Sequence, residues 1–304
     1  MFHGDTFSRT LDLAPFTYKM IRGIDFYNHC FEVISAQPNI EIRYTNVESI
    51  NYEETSITAG GQTLYADYIF NSILFEKPAL KPGEYYLLQH FKGWMIETLA
   101  PAFDPSKATL MDFRVSQHHG TTFAYVLPLS STHAMVEYTL FTKELLRAEQ
   151  YDEGLKEYIH TYIDSDYRIS EQETGIIPMT NHVFERSKRN VINIGSAGGQ
   201  TKPSSGYTFY FIQQHSKAIT DALVTTGKPD IDPMYAKRFA YYDSVLLNVL
   251  ATGKAPGKKV FSDLFRKNKT AAILRFLNNE SSFGTDLKII SSLPVWPFLK
   301  AALP

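Results

Sequence analysis

Apolar and polar positions change period several times along this chain, and each change marks an element. From Ile24 to Ala36 the apolar side chains of Phe26, Cys30 and Ile34 recur every four residues, which predicts a helix with Cys30 in the core. Alternation then predicts a strand over Ile40–Val47. Two alternating segments, Thr55–Ala59 and Thr63–Phe70, flank Gly60-Gly61 and predict a hairpin. Three more strands are predicted in succession, over Thr109–Gln117, Thr122–Leu129 and His133–Phe141. Their links, at His118-His119 and Ser130-Ser131, are short enough for an antiparallel meander. Helical spacing over Lys143–Ile163, broken near Tyr151-Asp152, and again over Tyr235–Leu250 and Thr270–Leu277, completes a mixed α/β chain.

The most informative segment runs from Asn190 to Tyr207. An apolar alternating run ends in glycines, and a helical pattern follows from Tyr207 to Val224, so the order is strand, glycine turn, helix N-terminus. Gly195, Ser196, Ala197, Gly198, Gly199, Pro203, Gly206 and Tyr207 are therefore candidate ligand-binding positions. Glycines carry no Cβ to hold a ligand off the backbone, and a helix N-terminus favours negative charge. A nucleotide or a reduced flavin ring suits such a junction; a plain tight turn explains the glycines equally well.

Composition narrows the classes. With 304 residues, 44% of them apolar and 14% aromatic, the chain can bury one large core or two smaller ones. A single cysteine excludes an internal disulfide framework and a cysteine metal cage. No run of about 18 apolar residues is present, and the N-terminus lacks the pattern of a signal peptide, so a soluble or peripheral protein is expected. The net charge is −2, yet from Ala251 onward Lys254, Lys258, Lys259, Arg266, Lys267, Lys269, Arg275, Lys288 and Lys300 face only Asp263, Glu280 and Asp286. With the apolar tail Leu293–Leu299, that asymmetry suits an anionic membrane surface. The competing explanation is a solvated helix face.

Among the carboxylates, Glu137 stands out because its strand neighbours are nearly all apolar. If buried, its pKa would rise and leave a proton available for general-acid work at neutral pH; if on the wet side of the sheet, it would be an ordinary surface acid. Asp112 and Arg114, two apart, share a strand face and pair either across a ligand or with each other. His118 and His119 have no third ligand at metal-like spacing, so no metal site is expected. Neither a Gly-x-Ser-x-Gly elbow nor a phosphate-binding Walker loop occurs.

Several segments in this order carry a family resemblance: Tyr18–Tyr27, Leu110–Val115, Phe123–Leu129, Val136–Thr139, Gly175–Met179, Ile194–Gly199 with Pro203–Tyr207, and Phe261–Arg266 with Leu274–Leu277. Together they resemble the flavoprotein lycopene cyclases, over nearly the whole chain. The resemblance implies an FAD-dependent hydroxylase-like fold with an antiparallel substrate sheet. It divides the chain into a remnant FAD-binding domain (1–75 and 172–230), a substrate-binding sheet (76–171) and a C-terminal helical region (231–304). Relatives open with a dinucleotide-binding Gly-x-Gly-x-x-Gly unit, so the chain resembles one lacking its first βαβ unit, about 80 residues. Gly195 is followed by Ser196 where related flavoproteins often carry Asp.

The implied activity is redox-neutral closure of β-ionone rings on lycopene, with reduced FAD as cofactor and NAD(P)H as its reductant. Glu137 is implied as proton donor or cation partner, acting without the second acid that many relatives place next to it, since Tyr138 stands there. A cytoplasmic protein on the inner face of a membrane, with no nucleic-acid partner, is expected. The alternatives are a flavin monooxygenase of the same fold and an inactive polyene-binding chain.

Overall fold

The computed structural model describes residues 1–4, 6–231 and 236–303. In chain order, β1 (Phe2–His3) and β2 (Ser8–Arg9) precede helix α1 (Gly23–Ser35). Strands β3 (Val47–Asn51), β4 (Ser56–Ala59) and β5 (Gln62–Tyr65) form a small antiparallel sheet, followed by β6 (Ile69–Asn71). Strands β7 (Tyr86–Thr98), β8 (Thr109–Asp112), β9 (Thr121–Pro128) and β10 (His133–Thr142) lead to α2 (Ala148–Tyr162) and to β11 (Tyr167–Thr180). After β12 (Ser187–Lys188) and β13 (Val191–Asn193) come α3 (Phe209–Thr226), α4 (Lys237–Ala251), α5 (Gly257–Lys267), α6 (Thr270–Leu277), α7 (Phe283–Ser291) and α8 (Val295–Ala302).

Seven strands build the main sheet in the order β11-β7-β10-β9-β8-β1-β2. All pairs are antiparallel except β1 with β8. The predicted meander is its centre. Period-two alternation in β10 sends Ala134, Val136, Tyr138 and Leu140 to one face, where they join Trp94, Ile96, Val126 and the buried side of α2. Gly154 lets that helix lie flat, because a Cβ there would stand 2.6 Å from the Tyr138 ring. The opposite face of the sheet is covered at one end by the C-terminal helices. Phe2 stacks on Phe265 at 4.5 Å and Phe113 on Phe261 at 5.8 Å, locking α5 onto the sheet.

Strand β13 runs parallel to β6 in a separate three-stranded sheet. The predicted hairpin is present, and Gly60 and Gly61 both take positive φ (55° and 72°), as a tight two-residue turn with right-handed strand twist requires.

Differences from the sequence expectations are local. The strand predicted from Ile40 begins only at Val47, because Ile40, Ile42 and Tyr44 have no partner strand and stay exposed. The strand predicted to Gln117 ends at Asp112, where the chain turns. The predicted break near Tyr151 is absent, α2 being continuous. The helix expected from Tyr207 starts at Phe209; in the helix predicted from Tyr235, that residue lies outside the described ones and α4 begins at Lys237. Cys30 is only partly buried, since α1 buries none of its residues.

Two long strands that the apolar pattern does not announce, β7 and β11, bring the site together. Most residues of β7 are buried on both faces, which removes the alternation. The outer strand β11 runs in register through Gly175 and Pro178, with one irregularity between Ile169 and Glu171; Pro178 is tolerated because β11 forms the sheet edge.

Candidate functional site

The face of the sheet opposite α2 changes character along β10. Near the C-terminal helices it is closed by Phe123 and Phe141; two residues further along come Thr139 and then Glu137. Register places Glu137 opposite Tyr125 of β9 and Gly93 of β7, and Gly93 opposite Glu173 of β11. The Thr139 hydroxyl donates to Glu137 Oε1. Glu137 keeps slight solvent contact, but dense protein around the carboxyl raises its pKa from 4.5 to about 7. Burial is the main cause; the Thr139 hydrogen bond opposes it, and the negative charge of Glu173 adds to it. The carboxyl is therefore substantially protonated at neutral pH.

Tyrosines surround it. Tyr18 arrives from the segment before α1 and Tyr207 from the glycine turn. Burial raises the pKa of Tyr125 well above that of a free phenol and pushes the Tyr207 hydroxyl up to about 12, with mutual interactions among the three phenols contributing. The Tyr18 phenol is raised by burial and then by Glu137. Part of the Tyr18 and Tyr207 rings still reaches solvent, so the enclosure is a wall and not a sealed core. Beside Tyr18 opens a cavity of about 440 Å³, lined also by Phe16, Met20, Leu110 and Leu127. Leu127 lies two residues from Tyr125 on the same strand face, so cavity and carboxyl adjoin through Tyr18 and β9. The volume falls within the range of small-ligand sites, about 300–1,000 Å³.

The glycine turn meets the same face. Gly195, Gly199 and Gly206 take positive φ (59°, 74° and 70°), which L side chains rarely adopt. Gly206 packs onto β7 so closely that a Cβ would stand 1.9 Å from Gln89 Oε1, and a Cβ on Gly198 would stand 2.2 Å from the Asn193 carbonyl. The N–H groups of Gly198, Gly199 and Gln200 turn back onto the carbonyls of Ile194, Gly195 and Ser196. Ser196 and Ala197 form the tip of the turn, and Pro203 lies in a second turn leading to Tyr207. Two buried side-chain oxygens, Gln89 Oε1 and Gln200 Oε1, have no hydrogen-bond partner. Lys202 ties the turn to the C-terminal helices through a buried ion pair with Asp243 at 2.7 Å and a hydrogen bond to Asn279 Oδ1 at 2.7 Å.

Asp112 and Arg114 are held away from this face. Arg114 donates to both Asp112 oxygens, and the Tyr158 hydroxyl of α2 donates to Asp112 at 2.9 Å. The carboxyl is fully buried beneath α2, paired across the sheet with Ala124, which faces the helix. Burial alone would raise its pKa, and the Arg114 contacts overcome that and lower it. The pair satisfies itself and anchors α2, so of the two arrangements left open by the sequence the internal pair is the one formed, apart from Glu137.

The model of the family described as Lycopene cyclase protein matches residues 2–303. The chain belongs to the lycopene cyclase family. No curated protein sequence matches it. Among solved structures, it is similar to a geranylgeranyl bacteriochlorophyll reductase-like protein from Thermoplasma acidophilum, at 11% identity and TM-score 0.52, covering 99% of this chain and 77% of that one. It is also similar to a flavoprotein/dehydrogenase from Cytophaga hutchinsonii, at 10% identity and TM-score 0.52, covering 94% and 75%. At these identities the likeness concerns the fold, and it agrees with the mixed α/β class and antiparallel sheet expected.

For this lycopene cyclase family member, Glu137 and the glycine turn were visible as sequence signals, whereas Tyr18, Tyr125, Gly93, Glu173 and the Lys202–Asp243 pair were not. Tyr125 sits opposite Glu137 in a meander whose register could have placed it. Glu173 and Gly93 lie on the two unannounced strands.

Proposed function

We propose that this protein closes β-ionone rings on linear carotene ends, as an isomerase with no net redox change. The observation that carries the reading is Glu137, a carboxyl with pKa near 7 on a tyrosine-walled sheet face beside a cavity of mixed lining, with Phe16, Leu110 and Leu127 on its apolar side and Ser106 and Lys107 on its polar one. Thr139 donates to Oε1, which leaves Oε2 free to carry the acidic proton. Donation to the terminal double bond of the polyene gives a tertiary cation, a neighbouring double bond attacks it, and the ring alkene forms as the carbon beside the new cation gives up a proton to the Glu137 carboxylate, which restores the acid. Tyr18, Tyr125 and Tyr207 shield the cation on one side and offer their ring faces to it. The cavity has room for one polyene end.

The glycine turn fits a flat heterocycle. With the Gly198, Gly199 and Gln200 N–H groups already used, what remains is the half-buried Ser196 beside the buried Ala197, and the buried, unpartnered acceptor oxygens of Gln89 and Gln200. These would hold the ring edge of FAD, together with Gly195, Pro203, Gly206 and Tyr207. The reduced cofactor, kept so by NAD(P)H, would supply negative charge beside the cation.

Among the described residues no helix is long and apolar enough to cross a membrane. Exposed Leu287, Val295, Trp296, Leu299 and Leu303 on and beside α7 and α8, with Lys288 and Lys300, support peripheral contact with an anionic membrane, where an apolar polyene resides. Turnover in D2O tests the reaction: one deuterium enters each closed ring without stoichiometric NADPH consumption. NADPH consumption matched to product, with oxygen incorporated, would contradict it and indicate a monooxygenase.

A further inference from the structure

We infer that Glu173 is a positioning residue that keeps the proton on Glu137, acting across the side-chain-free Gly93 that lies between them in the sheet; the inference rests on the reading of Glu137 as proton donor. Tyr125, Glu137, Gly93 and Glu173 form one row across four neighbouring strands, all on the same face. Strands stand about 4.8 Å apart, which puts the two glutamate Cα atoms about 10 Å apart, a span that two extended glutamate side chains can close. A side chain at the intervening position would fill that space. Residue 93 is instead glycine, and Met135 and Glu173 both lean over it: a Cβ at Gly93 would stand 2.9 Å from Met135 Sδ, 3.1 Å from Glu173 Cγ and 3.5 Å from its Oε1. Gly93 is not at positive φ, so its use here is space and not an unusual backbone conformation.

The two carboxyls differ in exposure. Glu173 lies exposed at the sheet edge, while Glu137 is inside. Each element around Glu137 contributes in a definite way. Tyr125 from β9, Tyr18 from the segment before α1 and Tyr207 from the glycine turn are neutral at pH 7. On β7, Lys92 points to the other face, opposite Tyr138, and pairs with Asp152. On β11, Glu171 is exposed with Arg22 at 3.7 Å and acts on Glu173, whose own pKa is raised by partial burial and then by Glu171, while Glu173 is the carboxylate whose charge acts on Glu137. A like charge at that position disfavours ionisation of the inner carboxyl. Tyr138, where many relatives have a second acid, cannot serve this purpose, because it points into α2.

The test reads the protonation of Glu137 without turnover. The infrared band of its protonated carboxyl, assigned by its absence in Glu137→Gln, is followed across pH in the full chain. In the native protein the midpoint is expected near 7. Glu173→Gln, which keeps shape and removes charge, should lower it by at least about half a unit, with the alkaline limb of the ring-closure profile moving by the same amount. Glu173→Asp should retain most of the native midpoint. An unchanged midpoint in Glu173→Gln overturns the inference even if Glu137 is the donor. Ring closure by Glu137→Gln would instead remove the donor reading, an outcome the titration does not imitate.

Discussion

Replacing Glu137 by Gln keeps the shape of the side chain and removes its ionisation, so its effect on stability must depend on pH. The fold raises the carboxyl from 4.5 to about 7. At about 1.4 kcal/mol per unit, the ionised form is disfavoured in the folded state by about 3 kcal/mol relative to the unfolded chain. That figure is an upper one, since residual solvent contact screens the charge. Below pH 4.5 the acid is protonated in both states and nothing is lost. As pH rises from 4.5 through 7, the unfolded chain ionises first and the native protein loses stability; above 7 the loss is complete. The Gln variant has no such loss. Relative to the native protein it should gain up to about 3 kcal/mol between pH 4.5 and 8.5, roughly 5 °C in melting temperature for a chain of this size. Thermal unfolding of both proteins at the two pH values measures this. A difference between them that is the same at both would refute the burial argument, and with it the neutral-pH proton donor.

Other outcomes follow from particular contacts. Asp243→Asn leaves Lys202 charged and poorly paired in the interior, and should destabilise by about 3–5 kcal/mol in denaturant unfolding; Lys202→Met with Asp243→Leu should recover most of that. Gly198→Ala drives a Cβ against the Asn193 carbonyl, so the turn must move, and flavin retained through purification should fall while far-ultraviolet circular dichroism stays native. His90 is fully buried between Thr142 and Tyr151, and burial lowers its pKa to about 4. Its NMR titration should therefore show no protonation at pH 5.5, and native stability should decline as pH falls from 6.5 towards 4. Trp296→Glu should weaken sedimentation with anionic vesicles without changing the melting temperature, because that side chain is 75% exposed.

The central meander was legible because β9 and β10 are short apolar runs bounded by turn residues at His118-His119-Gly120 and Ser130-Ser131. Glu137 was recognisable for the same reason, as one acid in an apolar strand. β7 is covered on both sides and β11 is a polar edge, so neither has a period to read, and with them Gly93 and Glu173 stayed hidden. α1 shows the opposite failure. Its four-residue spacing announced a helix correctly, but spacing says nothing about what covers it, and Cys30 is not in a core. For Asp112 and Arg114, sharing a strand face was right; which face it was depended on Tyr158, forty-six positions away in the chain.

Ring closure in living cells tests the central claim most directly. Bacteria that accumulate lycopene would express either the native chain or Glu137→Gln, with equal soluble protein, and their pigments would be separated by chromatography. The account predicts monocyclic or bicyclic carotenes from the native chain and lycopene alone from the variant. Ring-closed carotenes from the variant, or unchanged lycopene beside native protein that retains its flavin, would contradict it.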